Sequence, residues 1–303
     1  MKPTHALSFL VIALLAVFTS TAQQSQPGVD STGLPGDNFS LQGALEMFQK
    51  ASSPEEFEKL LNTESNNVNN LDLNEDGEID YVRVVDKSEK DVHAFILQVP
   101  VSETESQDIA VIELEKTNDS TAVVQIVGDE DIYGESVIVE PDGGGEEDDA
   151  FMLYDGDAIA KGPGADYHKG TRVVVNVWLW PSVRFIYGPV YRPWASPWRW
   201  RHYPGWWSPW RPFTWRIYAP LCARYHRPFV VVHRHRVMTA HRIYRPMRVT
   251  SITVTGRHSA SVGRYRTTRK TTTVTGPRGN KVRHTTVQGP RGRKASSTRV
   301  IRR

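Results

Sequence analysis

Five oxygen-bearing side chains alternate along nine residues, Asp72-Leu73-Asn74-Glu75-Asp76-Gly77-Glu78-Ile79-Asp80. Asp72, Asn74, Asp76, Glu78 and Asp80 cluster too many acceptors to be cheap without compensation, so the chemistry they offer is the binding of a hard cation, calcium. The spacing has a physical reason. Oxygens at the first, third and fifth positions converge on one ion, Gly77 permits a sharp turn, and Ile79 anchors the loop through an apolar side chain. The plain alternative is a solvated Asp-Gly turn.

Over these nine residues the run resembles the calcium loop of EF-hand and dockerin proteins. The resemblance implies that Asp72, Asn74 and Asp76 are side-chain ligands and that Glu78 offers its backbone carbonyl. Asp80 would then bind directly or through water. The run departs from the EF-hand at position twelve, where Arg83 stands in place of a bidentate Glu, and strand-forming residues follow instead of a helix. Any affinity should be weak, of the millimolar extracellular kind.

A second constellation is basic and aromatic. All nine Trp residues lie between Trp178 and Trp215, interleaved with Arg and Pro, as in Trp198-Arg199-Trp200-Arg201 and Trp206-Trp207-Ser208-Pro209-Trp210-Arg211. Trp favours a boundary between water and an apolar phase, Arg binds phosphate bidentately, and Pro keeps the segment extended. Together they suit an anionic lipid or lipopolysaccharide surface, and the composition is similar to that of Trp/Arg-rich cationic antimicrobial peptides. The same residues would also stack on sugars or on the bases of extracellular nucleic acid, or form an irregular aromatic core in which Arg packs on Trp. Further cations sit in a short repeat, where Thr272 to Lys281 recurs as Thr285 to Lys294. Arg278, Lys281, Arg291, Arg293 and Lys294 join the polyanion-binding set.

Other chemistry finds less support. His226, His233, His235 and His241 invite a transition-metal reading, and in a strand His233 and His235 would share a face. Arg234 and Arg236 lie among them and no carboxylate follows Asp166, so a divalent ion would face repulsion and a basic, aromatic-rich face is the expected reading. No glycine-rich phosphate loop, zinc-protease helix or local Ser-His-Asp signature occurs. Cys222 lies near Arg224 and His226, an arrangement common to inert thiols. The chain is expected to be no enzyme and to take no small-molecule substrate.

The formal net charge of +3 conceals a division. All 34 Asp and Glu residues fall between Asp30 and Asp166, whereas 29 of the 37 Lys and Arg residues fall from Lys169 onward. Seven basic side chains against 34 acidic ones give residues 23–168 a formal charge of −27, and residues 169–303 carry +29. Such polarity speaks of partners. The readings are attachment to a polyanionic envelope surface, self-assembly of acidic on basic halves between chains, and docking of the two halves within one chain.

The elements that must position these groups are read from period and punctuation. Residues 1–22 have the basic start, short apolar core and small-residue end of a signal peptide, implying export to the periplasm, the outer surface or the medium. A flexible lead-in is expected over 23–38. One Cys, Cys222, allows no internal disulfide. Ser40 precedes an apolar stripe of Leu41, Leu45 and Phe48, and Ser53-Pro54-Glu55-Glu56 reads as a capping box before Phe57, Leu60 and Leu61. Strand periods follow at 79–86, 92–100, 108–116, 121–127 and 135–140. Ala110, Ile112 and Leu114 share one face and Val111, Glu113 and Glu115 the other, as in a sheet with one covered face.

The expected class is α+β: two N-terminal helices on an antiparallel sheet of about five strands, then an irregular Trp/Arg/Pro-rich segment and a mobile basic tail. Boundaries fall at an acidic domain over 39–141, an acidic Gly-rich linker over 142–170, a Trp/Arg/Pro-rich region over 171–250 and a tail over 251–303. The run Thr171 to Trp180 could pair back onto the first sheet, and a chain ending near Gly170 should fold alone. Ile79 to Val85, Leu97 to Val101, Gln107 to Glu113 and the block from Ser196 to Trp210 resemble a group of uncharacterised secreted proteins of Bacteroidetes-type bacteria. That resemblance implies no activity.

Overall fold

The computed structural model describes residues 31–143, 150–151, 174–275, 281–288 and 294–301. The expected signal peptide, the start of the lead-in and most of the Gly-rich linker lie outside the described residues. Ser40 caps α1 (Leu41–Lys50), its hydroxyl accepting from the Gly43 amide at 3.0 Å. Ser53 does the same for α2 (Pro54–Leu61), accepting from Glu56 N at 3.1 Å, with Pro54 where no amide hydrogen is needed. Glu56 closes the cap one residue earlier than a capping box would, accepting from Ser52 N at 2.8 Å.

Strands β1 (Arg83–Glu89), β2 (Val92–Pro100), β3 (Ser106–Asn118) and β4 (Thr121–Gly128) form an antiparallel meander. A one-turn helix, α3 (Glu130–Tyr133), leads into β5 (Val137–Pro141). Then β6 (Ala150–Phe151) pairs with β7 (Val174–Val175), apart from the main sheet. Val175 therefore does not join the meander, although Val177 and Trp180 just beyond it enter the main core.

Helices α4 (Pro181–Ile186) and α5 (Trp215–Cys222) precede β8 (Phe229–Val232), which pairs antiparallel with β5 from Ile138 opposite Val232 to Pro141 opposite Phe229. The sheet thus has six strands, in the order β1-β2-β3-β4-β5-β8. Its sixth strand comes from the basic half. The α+β class with two leading helices holds.

Both faces of this sheet are covered, where one was expected. Phe95, Leu97, Val99, Ile112, Leu114, Val124 and Ile126 join the core cluster of α1 and α2. Ala94, Ile96, Val111, Val127, Ile138, Val230 and Val232 pack on the other side with Tyr244 of α6 (Met238–Tyr244). Glu113, expected on a solvated face, is 0% exposed. Polar alternation looks like a face turned to water, but here it marks a face whose polar groups are matched by donors from a distant segment.

The basic tail also departs from a mobile arm. It begins with α7 (Ile252–Thr268), which buries Val254 and Val262, eight positions apart on one helical face. Ser251 seats it, accepting from Val254 N at 3.1 Å while its own amide donates to Gln107 Oε1 at 2.9 Å. Strands β9 (Arg269–Thr275), β10 (Lys281–Gln288) and β11 (Lys294–Ile301) follow as an antiparallel sheet in the order β11-β10-β9. Among the described residues no helix is long and apolar enough to cross a membrane.

Candidate functional site

The two halves meet through buried carboxylates of one and donors of the other. Glu58 accepts from Tyr81 OH at 2.8 Å and Val84 N at 2.7 Å, and across the divide from Ser196 Oγ at 2.9 Å and Trp194 Nε1 at 3.4 Å. Burial lifts its pKa, and those hydrogen bonds oppose the lift. Asp108 accepts from Gln98 Nε2 at 2.6 Å, Val249 N at 2.8 Å and Tyr244 OH at 3.3 Å; burial pushes its pKa up to about 6. Arg248 grips Asp129 at 2.5 and 2.8 Å and Asp131 at 2.6 Å. Glu140 accepts from Gln125 Nε2 at 2.7 Å and pairs with Arg236 Nε at 3.1 Å. Acidic and basic halves are docked within one chain.

The Trp/Arg/Pro segment runs along the exposed edge of β1. Asp86 N donates to Trp194 O at 2.7 Å and Ser196 N to Val84 O at 3.0 Å, with a bridge between Val85 and Ala195. Proline-rich chain can cover a strand edge without offering a new one, which accounts for its place here. Trp207 is not a surface contact. It is 6% exposed and packs edge-on to Tyr81 at 5.1 Å and against Tyr203 at 4.6 Å. Trp198, Trp200 and Trp210 are half-buried, so the block is in part the aromatic core that its composition also allowed.

What remains outward is narrower than expected. Trp206 is 47% exposed with Lys59 above its ring, and Arg199, Arg201 and Arg211 are exposed. Arg201 lies over the Trp200 ring at 5.5 Å. None of these three arginines has a carboxylate partner among the described residues. Lys281 and Lys294 open β10 and β11, while Arg278, Arg291 and Arg293 lie outside the described residues.

The loop from Asp72 to Asp80 is a set of Asx turns. Asp76 N donates to Asn74 Oδ1 at 2.9 Å, Gly77 N to Asp72 Oδ2 at 3.0 Å and Glu78 N to Asp76 Oδ1 at 3.0 Å. Gly77 adopts φ +84, the left-handed conformation the turn requires. Ile79 is buried, as an anchor should be, and its amide donates to Trp210 O at 2.8 Å. Glu78 is exposed. Asp80 is 4% exposed and accepts from Leu73 N at 2.5 Å; burial first, then the charges of Asp72 and Asp76, push its pKa up to about 7. Arg257 of α7 pairs with Glu75 at 3.3 Å and donates to Leu73 O at 2.6 Å, so the tail helix braces the loop. Asp72, Asp76 and Asp80 do not bring three carboxylate oxygens together within 4.8 Å.

A carboxylate and two imidazoles come that close elsewhere. Glu113, His235 and His241 place one ligand atom each within 4.8 Å of the others and could hold a metal ion. Glu113 bridges the two imidazoles, one oxygen touching His235 Nε2 and the other lying 2.8 Å from His241 Nδ1. His233, expected to share a face with His235, is not part of it. Neither family models nor curated proteins nor solved structures yield a match to the chain. The objection that the basic half lacks a carboxylate fails because the acidic half supplies one, 122 residues from His235. Nothing local to Glu113 signals that pairing. The only hint is its place opposite Gln125, a second polar residue on the same sheet face.

Proposed function

We propose that the protein is a non-catalytic, exported, envelope-associated binder of polyanionic surfaces, and that Arg199, Arg201, Arg211 and Trp206 form the contact. The observation that carries the reading is one of charge matching. Arg236, Arg248, Arg257 and Arg266 each pair with a carboxylate of the acidic half, whereas Arg199, Arg201 and Arg211 are exposed and have no carboxylate partner among the described residues. Guanidinium groups beside an exposed indole suit an interface where phosphate meets acyl chain. Lys281 and Lys294, with Arg278, Arg291 and Arg293, add cations along the chain.

Cosedimentation of the full chain with phosphatidylglycerol and phosphatidylcholine vesicles tests this. Binding should be confined to the anionic vesicles and should fall steeply with salt. Replacing Arg199, Arg201 and Arg211 together by Ala should lower affinity on the order of a hundredfold, at about 1 kcal/mol for each cation near the surface. Equal binding to both vesicles, or a triple variant that binds as the parent does, would sink the proposal. Concentration-dependent association that salt dissolves, without vesicle binding, would favour self-assembly. Selective capture by DNA or an acidic polysaccharide would name another polyanion.

We further propose that the loop over 72–80 takes calcium weakly. Asp72, Asp76 and the buried Asp80 repel one another, and an ion accepted by Asp72, Asn74, Asp76, the Glu78 carbonyl and Asp80 would relieve this once the Asx turns open. Calcium at ten times its Kd should stabilise the full chain by about 1.4 kcal/mol. Thermal melts in millimolar calcium against chelator measure it. An unmoved midpoint, or an Asp76→Ala variant that responds as the parent does, would refute the calcium proposal.

A further inference from the structure

We propose that Glu113, His235 and His241 form a binding site for a zinc-class divalent transition metal, which acts as a clasp between the sheet and the basic half. The ligands come from separate places: the middle of β3, the link after β8, and α6. Two imidazoles and one carboxylate are a donor set for zinc, nickel or cobalt and a poor one for calcium or magnesium.

Burial gives the site its need for a cation. The Glu113 side chain is 0% exposed, and its ion partners among the described residues are the two imidazoles alone. A buried carboxylate without positive charge nearby is costly, and a metal ion beside it offsets that cost. The His235 and His241 side chains are 18% and 23% exposed, which leaves the group open to water on one side. Three protein ligands and one solvent position is a common zinc arrangement.

The surroundings hold the ligands in place. Gln125 accepts from Arg236 N at 2.7 Å and donates to Arg234 O at 3.0 Å, which fixes the backbone on either side of His235. Arg236, whose charge argued against a metal, is turned to Glu140. In a tetrahedral site with bonds of about 2.0 to 2.1 Å, ligand atoms sit roughly 3.3 Å apart, so Glu113 and His241 need part by only about half an ångström from their 2.8 Å contact. Metal binding uses a Glu113 carboxylate oxygen and the lone pairs of His235 Nε2 and His241 Nδ1, the atoms that already face one another.

The test is titration of the full chain, stripped with chelator, with zinc and with cobalt(II). One zinc should bind per chain and raise the melting midpoint, and cobalt should give the intense visible bands of a four-coordinate site. A His235→Ala/His241→Ala variant should lose about a hundredfold or more in affinity, since even outer-shell partners of such sites are worth ten- to a hundredfold. Glu113→Gln should weaken binding while leaving the packing in place. A His226→Ala/His233→Ala variant should bind as the parent does. No cobalt band in the parent chain, or zinc binding indifferent to His235 and His241, would overturn the proposal. The vesicle experiment has no bearing on these outcomes, because the arginines of the Trp block are not ligands.

Discussion

Ending the chain after Gly170 should abolish cooperative folding, even though every strand of the meander and both leading helices are retained. The reason lies on the second face of the sheet. Ala94, Ile96, Val111, Val127 and Ile138 are packed there under α6, with Val230 and Val232 of β8 extending the same face, together with the fully buried Glu113. Exposing a buried Val, Leu or Ile costs about 1.5 to 3 kcal/mol, so losing this cover forfeits roughly as much as the 5 to 15 kcal/mol of net stability of an ordinary domain. The fragment also loses Ser196 and Trp194 from Glu58, Val249 and Tyr244 from Asp108, and Arg248 from Asp129. Urea unfolding of residues 23–170, followed by circular dichroism, should show no sigmoidal transition. A soluble fragment with a cooperative transition would mean that the acidic part is a domain in its own right.

Arg248→Met should be the most damaging single substitution at the contact between the halves. Its guanidinium lies against Asp129 and Asp131, and the Asp129 side chain is only 2% exposed. Removing one partner of a buried pair leaves the other charge uncompensated, at a cost of about 3 to 5 kcal/mol. The loss should depend on pH. Burial already raises the Asp129 pKa, and Arg248 is the chief force holding it down. Without Arg248 the folded-state pKa rises further above its unfolded value, so native Asp129 takes up a proton that the unfolded chain does not. The penalty is therefore full above the raised pKa and shrinks as pH falls towards the ordinary carboxylate range. Denaturant melts of parent and variant at pH 7.5 and pH 4.5 read this directly. A difference under 1 kcal/mol at the higher pH, or one that grows on acidification, would contradict the pairing.

The parts of the fold legible in the sequence are those set by near neighbours. Ser40 and Ser53 announce their helices because an N-cap acts within three residues, and β2 is found at Val92–Pro100 because its apolar run is bounded by turn residues. The sixth strand was hidden. Phe229–Val232 is four residues long and leads into His233-Arg234-His235-Arg236, which has the look of a solvated basic surface. Glu113 misled for the complementary reason: a carboxylate between Ile112 and Leu114 signals water unless its distant partners are known. Helix α7 gave no periodic signal, since Val254 and Val262 are its only deeply buried apolar residues. The exposure of Arg199, Arg201 and Arg211 is what their charge leads one to expect. The burial of Trp207 was not legible, because composition does not say which indole turns inward.

The basic half completes the acidic sheet within a single chain, and cross-strand disulfide capture can trap that pairing. Val139 of β5 faces Val231 of β8, and residues directly opposed in an antiparallel pair have Cα atoms about 4.5 to 5.5 Å apart, within disulfide range. With Cys222 replaced by Ala, a chain carrying Val139→Cys and Val231→Cys should oxidise at high dilution to a monomer with shifted mobility on a non-reducing gel. Each single-cysteine chain should remain unshifted. Oxidation to a dimer with no intramolecular product, or two thiols that stay free under conditions where the chain is folded, would contradict the docking of β8 on β5.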